Sequence, residues 1–261
     1  MRKAKRRQRD RLAWGIYILP NIFTTMNLFC GFYAVISVIG GSFVRAAVAI
    51  IIAAVFDTLD GKIARATKAT SLFGVEYDSL ADLISFGLAP GLLMYLWVLQ
   101  PLGRLGWLAA FLFMTCGALR LARFNSQAGN ISSEFFIGLP IPAGAGMVAT
   151  TVLLYNRLEM SGDANRVLML IMLYCISFLM VSSIKYYSFK KPELFKKKSF
   201  NVLVASILIL IFIAAHPAIA LFLLSITYVT SGPLTALFRY KAVKQKKDET
   251  PKTEEHRSSH V

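Results

Sequence analysis

Four aspartates, Asp57, Asp60, Asp78 and Asp82, interrupt two otherwise apolar stretches, Phe56-Asp57-Thr58-Leu59-Asp60-Gly61-Lys62-Ile63-Ala64-Arg65 and Gly74-Val75-Glu76-Tyr77-Asp78-Ser79-Leu80-Ala81-Asp82. Asp57 and Asp60 are three residues apart and Asp78 and Asp82 four, so each pair lies on one face of a helix. Two antiparallel helices can then oppose their pairs. Four carboxylates gathered in one place repel one another unless cations neutralise them, and hard divalent ions with oxygen ligands satisfy that arrangement. The chemistry this points to is a site for Mg²⁺ or Mn²⁺, one or two ions, holding an anionic substrate. Gly61 follows the second carboxylate and Ala64 is small, so the helix offers a groove to a ligand. Arg65 can present its planar fork to a phosphate whose charge the ions also balance. Together these residues read as a diphosphate site.

The elements that must carry these residues follow from composition. Of the 261 residues 56% are hydrophobic and 16% charged, and the mean hydropathy is +0.57. That balance belongs in lipid, where each spanning helix takes roughly 20 apolar residues. The fold class expected is an all-α polytopic membrane protein. Apolar stretches place about eight transmembrane helices, near 20–40, 43–66, 74–98, 104–124, 137–156, 165–185, 199–214 and 217–238. The last two are divided at His216-Pro217, which is either a tight turn or a kink. No cleavable signal sequence is read behind the basic N-terminus.

The formal net charge of +15 does not signal nucleic-acid binding, because the basic residues gather at the ends of apolar segments. With eight spans and an inside N-terminus, all 29 Lys and Arg except Arg45, Arg104, Arg157 and Arg166 fall on one side. This asymmetry predicts that both termini are cytoplasmic. Residues 1–15 then form a basic juxtamembrane segment on anionic headgroups, 16–239 the transmembrane domain that carries the carboxylates, and 240–261 a charged tail expected to be disordered. Cys30, Cys116 and Cys175 lie in apolar stretches without CxxC spacing and are expected as small buried hydrophobes.

A carboxylate near the bilayer centre costs at least about 2.5–3.5 kcal/mol, which makes four of them a functional feature by default. Helix capping or pairing with Lys62, Arg65 and Lys68 would not require two carboxylates on each of two successive helices. Ion transport is the rival class. Against it, the aspartates cluster at one end of two consecutive helices, and the second half of the chain holds no matching broken pair.

The stretch from Asp57 to Asp82 matches D-x₂-D-G-x₂-A-R-x₈-G-x₃-D-x₃-D at Asp57, Asp60, Gly61, Ala64, Arg65, Gly74, Asp78 and Asp82. By this motif the chain resembles the CDP-alcohol phosphatidyltransferase family. The resemblance implies that Asp57, Asp60, Asp78 and Asp82 hold a pair of Mg²⁺ or Mn²⁺ ions and that Asp82 is also the general base. It further implies a CDP-linked lipid contacting Gly61, Ala64, Arg65 and Ser71, a six-helix core, and a homodimer. Glu76 is read as an interfacial residue outside the metal site.

The segments Ser79–Pro90, Ala118–Asn125 and Phe136–Ala143 resemble the phosphatidylserine synthase branch, as does an eight-helix count with two helices beyond the core. The donor this implies is CDP-diacylglycerol and the acceptor L-serine. Arg120 and Arg123, a turn apart, suit the serine carboxylate, with Asn125 beside them. Glycerol 3-phosphate is also an anion and inositol phosphate is a further acceptor of the family, so the arginines alone do not choose; positive-inside anchoring is their other reading. Gly138-Leu139-Pro140-Ile141-Pro142 is either a rigid helix start or non-helical backbone lining a cavity. Asn21, Thr24 and Asn27 recur at three-residue steps after Pro20. They either touch the nucleotide, or cap a helix at Asn21 and bond between helices at Thr24 and Asn27.

Overall fold

In a computed structural model of the chain, residues 2–67, 71–127, 135–160, 162–187 and 215–249 are described. Helix α1 spans Arg2–Ile39, α2 Phe43–Thr67, α3 Leu72–Asp82, α4 Ala89–Met94, α5 Arg104–Gln127, α6 Ile141–Arg157, α7 Arg166–Val181 and α8 Pro217–Glu249. Strands β1, Phe135–Ile137, and β2, Lys185–Tyr187, pair antiparallel with Phe136 opposite Tyr186. This small ribbon is an addition to the all-α expectation. The predicted helix at 199–214 lies outside the described residues.

Polar and apolar residues are distributed as lipid requires. Asn27 is 0% and Asp60 4% exposed, whereas Phe29 and Phe32 are each 60% exposed. In water that inversion would be costly; in a bilayer it turns the apolar surface outward and satisfies polar groups within. Among the described residues, four helical stretches are long and apolar enough to cross a membrane: Pro20–Ile39, Leu72–Leu102, Arg104–Ser126 and Pro217–Leu237. The chain is a multi-pass helical membrane protein.

Helices α1 and α2 pack side by side. Their contact is lined by small residues, with Ala34, Ala46, Ala47 and Ala53 fully buried, so the two backbones approach closely and the Asp57 face of α2 is drawn towards α1. The rod Leu72–Leu102 crosses the same pair. Its α-helical path widens to π-helix at Leu83–Leu88 and Tyr95–Leu99. The first widening, in which the Ala89 N–H reaches the Ile84 carbonyl, follows Asp82 directly and precedes Pro90, which has no N–H to continue the ladder. At Gly31 of α1 an added Cβ would run into Ser85, so the absence of a side chain there sets how near α1 comes to the π-turn.

Several boundaries differ from hydropathy alone. Helix α1 begins well before residue 20, because the basic N-terminal segment is rich in strong helix formers and a helix satisfies its own backbone on either side of a membrane surface. Pro20 therefore sits inside α1, and Asn21 caps no helix, which corrects that reading. Helix α8 likewise continues to Glu249, so the start of the segment read as a disordered tail is helical, again through good helix formers such as Lys, Ala and Gln. Cys30 and Cys116 are buried as expected, but Cys175 is exposed, on the outward face of α7.

Gly138-Leu-Pro-Ile-Pro142 is a helix start preceded by non-helical backbone that is packed against protein. Gly138 adopts φ 79°, a conformation that favours glycine. Its N–H donates to the Ile184 carbonyl at 2.8 Å, the Leu139 N–H donates to the Leu179 carbonyl at 3.0 Å, and a Cβ at Gly138 would strike the Met180 carbonyl. Helix α6 then starts at Ile141 with a proline in its first turn. The irregular backbone is buried against α7 and hydrogen-bonded, which is how such backbone persists at membrane depth.

Candidate metal and diphosphate site

The antiparallel course of α2 and the rod beginning at α3 decides which carboxylates meet. Oxygens of Asp57, Asp60 and Asp78 all lie within 4.8 Å of one another. Asp82, one turn further along α3, is within hydrogen-bonding reach of Asp57. Three of the four carboxylates thus meet in one group, and Asp82 adjoins it beside Asp57.

Helix α1 holds that cluster from the side. Thr24 Oγ1 donates to Asp60 Oδ2 at 3.0 Å and also lies 3.2 Å from the Pro20 carbonyl. Asn27 Nδ2 donates to Asp82 Oδ1 at 3.1 Å. The three-residue step from Thr24 to Asn27 therefore reaches one carboxylate on each of the two acid-bearing helices. Of the two readings of these residues, interhelical bonding is the one the geometry displays. Asn21 is half-buried beside Gly74, where an added Cβ would lie 3.5 Å from Asn21 Oδ1.

The remaining positions divide by what already engages them. The Gly61 N–H donates to the Asp60 carboxylate, and Gly61 and Ala64 are half-buried on α2. Arg65 lies on α2, but its side chain is outside the described residues. Ser71 is the N-cap of α3, its Oγ accepting from the Gly74 N–H at 3.0 Å. Glu76 is exposed and absent from the carboxylate cluster.

On α5, Asn125 Nδ2 donates to Ser79 Oγ at 2.9 Å and Arg123 Nη1 donates to the Val181 carbonyl at 3.2 Å. Both side chains thereby tie α5 to neighbouring elements. Arg120 differs: its guanidinium lies close enough to Asp82 and Asp57 to feel their charge, and its Nε is buried with no hydrogen-bond partner. One cationic side chain thus lies near two of the four carboxylates.

Two buried oxygens at the cluster, Asp78 Oδ1 and Asn27 Oδ1, also have no hydrogen-bond partner. A buried acceptor left unsatisfied costs about 1–3 kcal/mol, more when charged. The donor set is oxygen only, anionic in excess and incompletely satisfied, which suits a hard divalent cation.

Residues that spacing did not single out complete the frame. Ser85 Oγ donates to the Asn27 carbonyl at 3.0 Å. Thr25 Oγ1 and the Tyr77 hydroxyl lie 3.0 Å apart. Ser85 is one helical turn beyond Asp82, and that i, i+3 relation was the available signal.

Comparison with known proteins agrees with this geometry. The sequence model of the CDP-alcohol phosphatidyltransferase family matches residues 17–180. A Helicobacter pylori protein named CDP-diacylglycerol–serine O-phosphatidyltransferase is 39% identical over 208 residues, 80% of this chain and 87% of that protein. Proteins of the same name from Bacillus subtilis and Methanocaldococcus jannaschii are each 37% identical, over 173 residues (66% of this chain, 92% of that one) and 171 residues (66% and 74%). With the motif, the gathered carboxylates and the match over most of its length, the chain belongs to the CDP-alcohol phosphatidyltransferase family, a family of membrane transferases.

Proposed function

We propose that the chain transfers the phosphatidyl group of CDP-diacylglycerol to the hydroxyl of L-serine, forming phosphatidylserine and CMP. The observation that carries the transfer is the meeting of Asp57, Asp60 and Asp78 oxygens within 4.8 Å of one another on the family motif, with Arg120 near Asp82 and Asp57 as a place for the acceptor's anion. A guanidinium at the edge of the carboxylate cluster is suited to an acceptor that brings both a hydroxyl and a carboxylate. The three relatives of that name support the choice of serine.

In this reading Asp57, Asp60, Asp78 and Asp82 hold two Mg²⁺ or Mn²⁺ ions, for which the partnerless Asp78 Oδ1 is the structural support. When bound, such ions neutralise the diphosphate and stabilise the charge that develops as CMP departs. Asp82 accepts the proton of the acceptor hydroxyl as its oxygen bonds to the lipid-linked phosphorus and the bond to CMP breaks. Asn27 keeps the Asp82 carboxylate aimed, and Thr24 does the same for Asp60. Gly61, Ala64, Arg65 and Ser71 border the CDP moiety, with Asn21 alongside. Arg120 takes the serine carboxylate, while Arg123 and Asn125 shape the wall around it.

The surrounding organisation follows the sequence reading. We place both termini on the cytoplasmic face of the cell membrane, residues 16–239 in the transmembrane catalytic domain, two helices beyond a six-helix core, and two copies in a homodimer.

The test is CMP release by detergent-purified protein given CDP-diacylglycerol with Mn²⁺ or Mg²⁺ and, separately, serine, glycerol 3-phosphate or inositol phosphate, with an EDTA control. Serine-dependent release abolished by EDTA and restored by either ion is expected. Release with another acceptor alone would keep the reaction and discard serine; release unaffected by EDTA would remove the metal.

A further inference from the structure

Directly after Asp82 the rod widens to π-helix over Leu83–Leu88, a departure frequently found at functional sites. Ser85 lies inside this widening, and its hydroxyl is used unlike those of other helical serines. Ser79 donates to the Val75 carbonyl and Ser177 to the Leu173 carbonyl, each four residues back in its own helix, the local bond that a helical serine can always make. Ser85 Oγ donates instead to another helix, reaching the Asn27 carbonyl of α1 at 3.0 Å, 58 residues earlier in the chain. Both Ser85 and Asn27 are fully buried.

Asn27 is thereby gripped at two atoms by two residues of one rod. Its side-chain Nδ2 donates to Asp82 Oδ1 at 3.1 Å, and its backbone carbonyl accepts from Ser85, three residues beyond Asp82. The two bonds close a loop that ties the Asp82 carboxylate to the rigid backbone of α1. Gly31 makes this approach possible. Its N–H is the one that the Asn27 carbonyl meets within α1, and a Cβ there would come 2.7 Å from Ser85 Cα, closer than packing permits. On the same helix Thr24 donates to Asp60, so α1 is the common reference for acids on both neighbouring helices.

We infer that Ser85 is a positioning residue for the transfer, holding Asn27, and through it the Asp82 carboxylate, at the reach that proton abstraction needs. This rests on the reading of Asp82 as the base. A base must come within about 2.6–3.2 Å of the oxygen whose proton it takes, and misplacement by about 1 Å can cost on the order of 10²-fold in rate. A small hydroxyl suits the seat, because the Asn27 carbonyl has a second lone pair for it beside the helical N–H. A larger donor would collide with α1 at Gly31. An alanine would leave the π-turn without its bond to α1.

Ser85→Ala removes the hydroxyl and adds no bulk, so it should fold. Purified unaltered, S85A, Asn27→Ala and doubly substituted enzymes are compared for the kcat of serine-dependent CMP release, the KM of each substrate and Tm. In S85A kcat should fall roughly tenfold, short of the full misplacement cost, with both KM values within about threefold of the unaltered enzyme. A serine that only packs α1 against the rod would lower Tm and leave the turnover of the folded enzyme unchanged. In the Asn27→Ala background the second substitution should lower kcat by less than about twofold more, because the side chain through which Ser85 acts is gone. A kcat for S85A within about twofold of the unaltered enzyme, or a further loss of roughly tenfold in the Asn27→Ala background, overturns the inference and leaves Asp82 as base. Near-normal turnover by Asp82→Asn sinks the base reading and this one with it.

Discussion

The carboxylate half of the site, on α1 to α3, and the acceptor half, on α5 to α8, are put together by different means. The first is assembled from consecutive helices that must pair because the connections between them are short: Gly40–Ser42 links α1 to α2, and 68–71 links α2 to α3. Register along those helices then decides which oxygen meets which. The proposed acceptor half depends on contacts between segments far apart in the chain: Arg123 of α5 donates to the Val181 carbonyl at the end of α7, and Tyr186 of β2 donates to the Val229 carbonyl of α8. Local spacing suffices to gather the carboxylates, whereas the residues proposed to select the acceptor are held by contacts with distant segments.

The comparison is broken most severely at Asp82. Asp82→Asn retains an oxygen to accept from Asn27 and so should fold, yet it removes the base, and CMP release should fall by on the order of 10²–10⁴-fold. Turnover within a few-fold of the unaltered enzyme would show that Asp82 is not the base. Next in size is the acceptor half. Arg120→Gln should raise the serine KM by about 10- to 100-fold, corresponding to about 1.5–3 kcal/mol, with a much smaller change for CDP-diacylglycerol.

Arg123→Ala sharpens the distinction within one helix. It removes the bond to the Val181 carbonyl, so the expected effect is a Tm lower by about 2–4 °C with a serine KM within about threefold. A larger serine effect for Arg123 than for Arg120 would reverse their assigned roles. The smallest effect is expected on the carboxylate side at Thr24→Val, which deletes the donor to Asp60. A net hydrogen bond of about 1 kcal/mol predicts roughly a fivefold weaker apparent affinity for Mn²⁺, read from the metal dependence of CMP release. An unchanged metal dependence would make Thr24 a packing residue only.

Much of the carboxylate half is legible in the sequence, since helical periodicity pairs Asp57 with Asp60 and Asp78 with Asp82, and a common face joins Thr24 to Asn27. Spacing does not settle whether Asn21 caps a helix, because propensity carries α1 through Pro20, or whether Ser71 serves a ligand or a helix end. The equivalence of Arg120 and Arg123 is also a limit of spacing. Residues a turn apart point in similar directions, and only the neighbouring Val181 carbonyl distinguishes them.

The sequence alone determined the solvent of this protein, its family and the four-acid cluster. These follow from composition and from periodicities short enough for a helix to transmit: three or four residues along one face, with short links between successive helices. The tertiary structure decided the orphaned buried acceptors, the ribbon that seats α8, and the tie of Arg123 to the Val181 carbonyl. Those depend on close packing between segments far apart in the chain, where the absence of one side chain, as at Gly31 or Gly232, sets which surfaces meet.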